Sequence, residues 1–300
     1  MYVLSENSCL FTFDRYTEPM GGITMSVIQI DHLTRDYGEG KGVFDLSFHV
    51  AQGEAFGFLG PNGAGKTTTI RHLMGFLKPV SGTCAIGGMD CWTDRHRIQA
   101  KLGYIPGEIS FFGDMTGAEF LRFLARYRGM ASTERQKTLL ERFELDPRGK
   151  IKRMSKGMKQ KLGIIAAFMH DPDILILDEP TSGLDPLMQS RFIDLVLEEK
   201  KRGTTILMSS HLFEEVERTC DRVGIIRQGR LVAVDAVDAL RQRHTRPYTV
   251  TLESEALAQS FARDFGGTPK GLTVTLTARQ SLEELFMHYY GGDDDERGAL

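Results

Sequence analysis

Four short stretches carry the residue types that could do chemistry. GPNGAGKTT at 60–68 matches G-x-x-x-x-G-K-[ST], with Gly60, Gly65, Lys66 and Thr67 in the fixed places. Glycines let the backbone wrap closely around phosphates with N–H groups turned inward. Gly60, Pro61, Asn62, Gly63, Ala64, Gly65, Lys66, Thr67 and Thr68 are therefore the candidate phosphate-binding residues. Lys66 reaches the β- and γ-phosphates, and the Thr67 hydroxyl can ligate Mg²⁺. ILILDEP at 174–180 delivers two acids at the end of an apolar run. Asp178 suits Mg²⁺, through water, and Glu179 suits the base that orients the attacking water. His211 ends TTILMSSH at 204–211 and suits a γ-phosphate contact. The fourth stretch, MSKGMKQ at 154–160, poses a problem. Ser155 could cap a helix, yet Lys156, Lys159 and Lys161 crowd its first turns, with Lys152 and Arg153 just before. A helix start already carries partial positive charge. Lysines and free N–H groups together predict an anion there, although the stretch holds no complete phosphate loop.

Each of these has a plainer reading. A glycine-rich turn need bind nothing, an acidic pair after a strand is commonly a solvated turn, and a lone histidine is commonly structural. A lysine-rich face can simply be hydrated, the dipole clash then costing a few tenths of a kcal/mol. What favours chemistry is context. The phosphate loop follows the β-like EAFGFLG and precedes the helical TTIRHLMG, as that motif requires. Open α/β sheets place ligands beyond the C-terminal ends of their strands, where the acids and the histidine fall.

The elements that must position these residues are legible in outline. SVIQIDHLT, GVFDLSFHV and EAFGFLG read as strands, and short β-like runs dominate from Val27 to about Ala85. Residues 93–170 read as mostly helical. Thr116 and Glu119 form a capping-box pattern before FLRFLARYRG, which ends at a glycine. STERQKTLLERF at 132–143 predicts a second amphipathic helix. Met158, Leu162, Ile165 and Met169 recur at helical spacing, so a helix runs to about Met169. From 173 the strands return as unbroken apolar runs, ILIL, TTILMS and VGII, suited to a parallel sheet buried on both faces. Asp185 and Pro186 make an N-cap and first helical position, and Gly203 ends that helix. RQRHTRP at 241–247 marks a boundary. Beyond it YTVTL, the stripe Leu257, Phe261, Phe265, then GLTVTL and a last helix from Ser281 form a small β-α-β-α module.

Composition narrows the function classes. The chain has 300 residues, 41% of them hydrophobic and 26% charged, and a net charge of −3, which suits soluble globular folding and disfavours a general nucleic-acid binder. No apolar run is long enough to span a bilayer. Cys9, Cys84, Cys91 and Cys220 fit neither a zinc site nor a redox pair, so reduced thiols are expected.

In this order and spacing, GPNGAGKTT, SKGMKQ, LILDEP, SGLDP and SSH resemble the nucleotide-binding subunit of ATP-binding-cassette (ABC) transporters over about residues 27–235. The resemblance implies an α/β P-loop NTPase of ABC ATPase type, a RecA-like core with a β-subdomain and a helical insertion, plus a small α+β C-terminal accessory domain. It divides the chain into an unstructured extension at 1–24, the ATPase domain at 25–240 with its helical subdomain at about 105–165, the accessory domain at 246–290 and a disordered tail at 291–300. It implies ATP and Mg²⁺ as ligands and ATP hydrolysis as the activity, with Glu179, His211 and Lys66 catalytic. Tyr37 falls where the family stacks an aromatic on adenine. Two cassettes of the family pair head to tail, so Ser155, Lys156 and Gly157 are implied to contact the partner's ATP, and Asp185 to tie the two sites together. The anion of the lysine-rich turn is then supplied in trans. The implied partners are a second copy or a homologous cassette and an integral membrane permease, at the cytoplasmic face of the membrane. No nucleic acid is expected. Segment 105–150 is implied to pass the stroke to the permease.

Two departures stand out. Lys156 and Met158 replace the glycine and glutamine of the common LSGGQ signature, a variant resembling the drug- and lipid-exporter branch. Gly107 stands where the family has glutamine, with Glu108 one residue later as a substitute near Mg²⁺. Two other readings stay open: a soluble cassette ATPase acting on nucleic acid or the ribosome, and a non-hydrolysing ATP-gated regulatory module. A single cassette and the acidic charge disfavour the first, and intact Lys66, Asp178, Glu179 and His211 disfavour the second.

Overall fold

The structure, a computed structural model, describes residues 26–239 and 245–279. The expected N-terminal extension, the last helix from Ser281 and the C-terminal tail lie outside the described residues. Three sheets organise what is described. The central one holds β3 (Ala55–Leu59), β6 (Leu102–Ile105), β7 (Ile174–Asp178), β8 (Thr205–Ser210), β9 (Arg222–Arg227) and β10 (Arg230–Ala236) in the order β10-β9-β3-β8-β7-β6. All its pairings are parallel except the edge pair β10·β9. Every residue of β3 and β8 is buried, which is why these strands read as unbroken apolar runs.

Register matters most for the site. In the β7·β8 pair Asp178 lies opposite Ser209, and in the β3·β8 pair Leu59 lies opposite Ser210. The C-terminal ends of β3, β7 and β8 are therefore level. The phosphate loop, the acids and the histidine leave the sheet along one edge.

Two cores flank this sheet. On one side the antiparallel sheet β2-β1-β4-β5, made of β1 (Ser26–Asp36), β2 (Gly42–Ala51), β4 (Ser81–Ile86) and β5 (Met89–Asp90), packs with α1 (Lys66–Leu73) around Phe56 and Phe58. On β2 apolar residues alternate inward, as a half-buried strand requires. On the other side lie α3 (Gly117–Tyr127), α4 (Glu134–Arg142), α5 (Lys156–Phe168), α6 (Pro186–Lys201) and α7 (Phe213–Thr219), packed around Phe143, Phe168 and Phe192. Burying each such phenylalanine stabilises the fold by roughly 2 kcal/mol. Arg135 ties α4 to the α5–β7 turn and α6, pairing with Asp171 at 2.7 Å and with buried Glu199. The capping box forms as expected: Glu119 accepts from the Thr116 N–H at 2.7 Å, and Thr116 Oγ1 accepts from the Glu119 N–H at 3.2 Å.

Two features sharpen the outline: within the mostly helical stretch 93–170, Leu102–Ile105 is the edge strand β6, preceded by the short α2 (Arg95–Gln99). Parallel pairing of β6 with β7 buries Leu102, Gly103 and Ile105, an alternative that a four-residue run cannot signal by period. In the C-terminal piece, β11 (Thr245–Thr251), α8 (Glu255–Phe265), β12 (Thr268–Lys270) and β13 (Thr273–Arg279) form a sheet in the order β11-β13-β12. The helix is present, but Leu257 and Phe265 on its apolar stripe are exposed, and Ala258 is its buried residue. Among the described residues, no helix is long and apolar enough to cross a membrane. Cys84, Cys91 and Cys220 are buried free thiols, and burial pushes the Cys84 and Cys220 thiols up to about 12.

Candidate functional site

The phosphate loop joins β3 to α1. Gly65 precedes the helix with φ +112°, a left-handed conformation that glycine adopts freely. A Cβ there would also lie 2.9 Å from Val43 and 3.2 Å from the Gly42 carbonyl, so the start of β2 closes over the loop. The N–H groups of the first turn of α1 have no intrahelical acceptors, and the turn contains no acid, leaving donors and a positive dipole end for an anion. Lys66, 5% exposed, donates from Nζ to the Gly60 carbonyl at 2.6 Å and the Pro61 carbonyl at 3.3 Å. The same amine stands 3.2 Å from Glu179 Oε1. A buried lysine is thus held on the loop with a carboxylate as its counter-ion.

The other two strands complete the cluster. Asp178 is fully buried; its Oδ1 accepts from Ser209 Oγ at 2.5 Å, and its Oδ2 has no hydrogen-bond partner. Glu179 adopts φ +49°, which is unfavourable for a non-glycine residue. Its N–H is fastened to β8 by the Ser209 carbonyl at 3.2 Å and Ser209 Oγ at 3.1 Å. Its Oε2 bonds His211 Nδ1. Lys66, Glu179 and His211 therefore form one chain of contacts, with Asp178 adjacent. An unpartnered, buried carboxylate oxygen costs free energy unless something binds it. The unpartnered Asp178 Oδ2, next in sequence to the Glu179 that contacts Lys66 of the phosphate loop, fits a hard cation, so the residues present suit Mg²⁺.

The remaining predicted residues are placed as follows. Gly107, not Glu108, sits against Asp178: a Cβ at 107 would lie 3.0 Å from Oδ2. Glu108 is exposed one residue further on, so the substitution expected of it near Mg²⁺ gains no contact here, because the backbone register turns Gly107 toward the acid. Tyr37 is half-exposed on the loop between β1 and β2, with the Arg35 guanidinium 5.2 Å from its ring. That loop leads to Gly42 and hence to the roof of the phosphate loop. Ser155 caps α5, accepting from the Met158 N–H at 3.2 Å, and Asp185 caps α6, accepting from the Met188 N–H at 3.0 Å. Both side chains are on the surface. The signature turn and the loop after Glu179 interlock within one chain. Gln160 Nε2 donates to the Pro180 carbonyl at 2.6 Å, Lys156 Nζ to Ser182 Oγ at 3.1 Å, and a Cβ at Gly157 would strike the Gly183 carbonyl at 2.8 Å. Lys156 is thus turned toward its own chain, where Ser182 offers its amine an acceptor. Of the nearby lysines, Lys152 pairs with Asp114 at 3.0 Å.

Sequence reasoning missed Ser209, Gln160 and Glu215. The polar pair ending TTILMSSH was the available signal for Ser209, since a buried strand rarely ends in two hydroxyls without partners. Glu215 on α7 is 3% exposed and accepts from Ser210 Oγ at 2.6 Å. Burial, with Glu179 nearby adding to it, pushes its carboxyl up to about 7.

A phosphate loop between a buried parallel strand and a helix, with acids and a histidine on neighbouring strand ends, defines a P-loop nucleotide-binding protein. Comparison with known proteins narrows the class. Residues 43–182 match the ABC transporter family model. The chain is 35% identical over 240 residues to the linearmycin resistance ATP-binding protein LnrL of Bacillus subtilis, covering 78% of this chain and 77% of that one. It is 39% identical to the bacitracin transport ATP-binding protein BcrA of Bacillus licheniformis, covering 74% and 73% of the two chains. Among solved structures, an ATP-binding subunit of an ABC transporter superposes with a TM-score of 0.67 at 32% identity, covering 73% of this chain and 93% of that one. The protein belongs to the ATP-binding subunits of the ABC transporter family.

Proposed function

We propose that this chain binds and hydrolyses ATP to drive a separate membrane-spanning partner, exporting a drug, lipid or other amphiphile. The observation that carries the reading is the convergence of Lys66, Glu179 and His211 beside buried Asp178, at the level ends of three parallel strands. The names of the relatives, one a resistance protein and one a bacitracin transport protein, support export of a small amphiphilic compound.

The mechanism follows from what these groups do before ATP arrives. Lys66 is occupied by two loop carbonyls and Glu179. Phosphate oxygens entering the loop offer a denser negative charge, so the amine turns to them and releases Glu179. A carboxylate held by a strained backbone, whose N–H is fastened to Ser209, then faces the γ-phosphate, placed to orient a water and take its proton. The phosphate-loop N–H groups and Lys66 stabilise the charge that spreads over the transferred group. Thr67 and Asp178 would hold Mg²⁺, which would supply positive charge to the phosphate oxygens. His211, freed from Glu179, holds the γ-phosphate. The lysine-rich start of α5 still needs an anion, and the head-to-tail pairing supplies one. Ser155 and the backbone of Gly157 close on ATP held by a second copy or a homologous cassette, while Asp185 links the two sites. Reopening after hydrolysis passes the stroke to the permease.

Phosphate release by purified protein, together with co-purification from gently solubilised membranes, tests the proposal. Turnover and a polytopic membrane partner are expected. ATP binding without phosphate release would indicate a regulatory module, and recovery with RNA or ribosomes in place of a membrane protein would contradict transport.

A further inference from the structure

Glu215 lies outside every group the mechanism uses, yet it sits directly behind them. It is 3% exposed on the first turn of α7, the helix that follows the His211 turn. Its Oε2 accepts from Ser210 Oγ at 2.6 Å, and Ser210 Oγ in turn accepts from the Leu212 N–H at 2.9 Å. The residues on both sides of His211 are thereby fastened to one buried carboxyl. Its Oε1 has no hydrogen-bond partner among the described residues. Thr181, His211 and Glu215 also line one cleft of about 430 Å³ between α6 and α7. A buried acid is expensive to keep. Here it is bonded to the loop carrying His211 and faces the same cleft as Thr181 on the loop carrying Glu179, the two loops whose groups must sit on either side of the reacting phosphate.

We infer that Glu215 is a positioning residue for hydrolysis: through Ser210 it sets where His211 stands relative to Glu179. The inference rests on the proposed roles of those two residues. It requires that loss of Glu215 slow the chemical step and leave nucleotide affinity alone, because Glu215 touches neither the phosphate loop nor the adenine side.

The test is a set of steady-state and binding measurements on Glu215→Ala, Glu215→Gln, Ser210→Ala, the double variant Ser210→Ala/Glu215→Ala, and His211→Ala. Glu215→Ala and Ser210→Ala should each lower kcat about tenfold with the ATP Kd changed less than about twofold. The double variant should be no slower than the slower single one, since both remove the same link. Glu215→Gln keeps an acceptor for Ser210 and should recover kcat to within about threefold. Wild-type kcat in Glu215→Ala, or losses that multiply in the double variant, would overturn the inference. So would a loss carried by Kd rather than kcat. If Glu215→Ala fails to fold, Ser210→Ala, which cuts the link with a smaller change in volume, carries the same expectation and the same refutation. His211→Ala separates the two levels: unimpaired turnover there would instead overturn the role of His211 itself.

Discussion

Replacing Glu215 by glutamine should change how stability depends on pH, and the size of the change follows from its burial. The carboxyl titrates at an ordinary 4.5 in the unfolded chain and at about 7 in the folded one, with burial as the leading cause. The folded state therefore binds more protons than the unfolded state between those values. The stability this group permits is fully present below 4.5 and is lost as pH rises through about 7. The gap corresponds to about 3 kcal/mol in all, and about 2 kcal/mol of it falls between pH 5.5 and 8.5. Glutamine cannot ionise, so the variant escapes that loss. Urea unfolding of both proteins across this pH range should show the variant gaining about 2 kcal/mol on the wild type as pH rises. All other titrating groups are shared and cancel in the difference. Parallel stability curves would show that the buried carboxyl does not hold its proton, and the reasoning from desolvation would fail.

Three other substitutions test separate parts of the account. Gly65→Ala forces a side chain into φ +112° and against Val43, and should cost about 1–3 kcal/mol in unfolding while abolishing nucleotide binding measured by calorimetry. Lys156→Gly should alter ATP-driven pairing, read by light scattering, and leave nucleotide binding by the monomer unchanged; unchanged pairing would deny that lysine any part in it. Asp185→Ala removes the cap of α6 and should lower stability by about 1 kcal/mol in thermal or urea unfolding, with a larger effect on turnover if it also links the two sites.

The parts of the site that were legible in sequence are those whose chemistry is local. GPNGAGKTT states its own backbone geometry, and ILILDEP announces a buried strand ending in acids. Ser155 and Asp185 advertised their helix starts, and both cap as expected. What stayed hidden depends on residues far apart in the chain. The grip of Lys156 on Ser182 spans 26 positions, and the bond from Ser209 to Asp178 spans 31. Strand register brings the second pair together, and the packing of the start of α5 against the loop after β7 brings the first. The choice between Gly107 and Glu108 turned on which residue the end of β6 presents to Asp178, a matter of one position that no local pattern encodes. Leu257 and Phe265 had the spacing of a buried stripe, but spacing says only that residues share a face, not that the face is covered. Nothing local in FEEVERT marks Glu215 as buried; its burial follows from how α7 packs beside α6.

The central claim is that one chain holds only part of a reaction centre and that two must close on shared ATP. Sedimentation of Glu179→Gln, saturated with Mg²⁺-ATP, tests it most directly, because loss of the base should slow hydrolysis about 100-fold or more and trap the closed state. The account predicts a stable pair carrying two ATP molecules that separates when nucleotide is removed. A species that stays single at saturating ATP, both alone and with its membrane partner present, would contradict it.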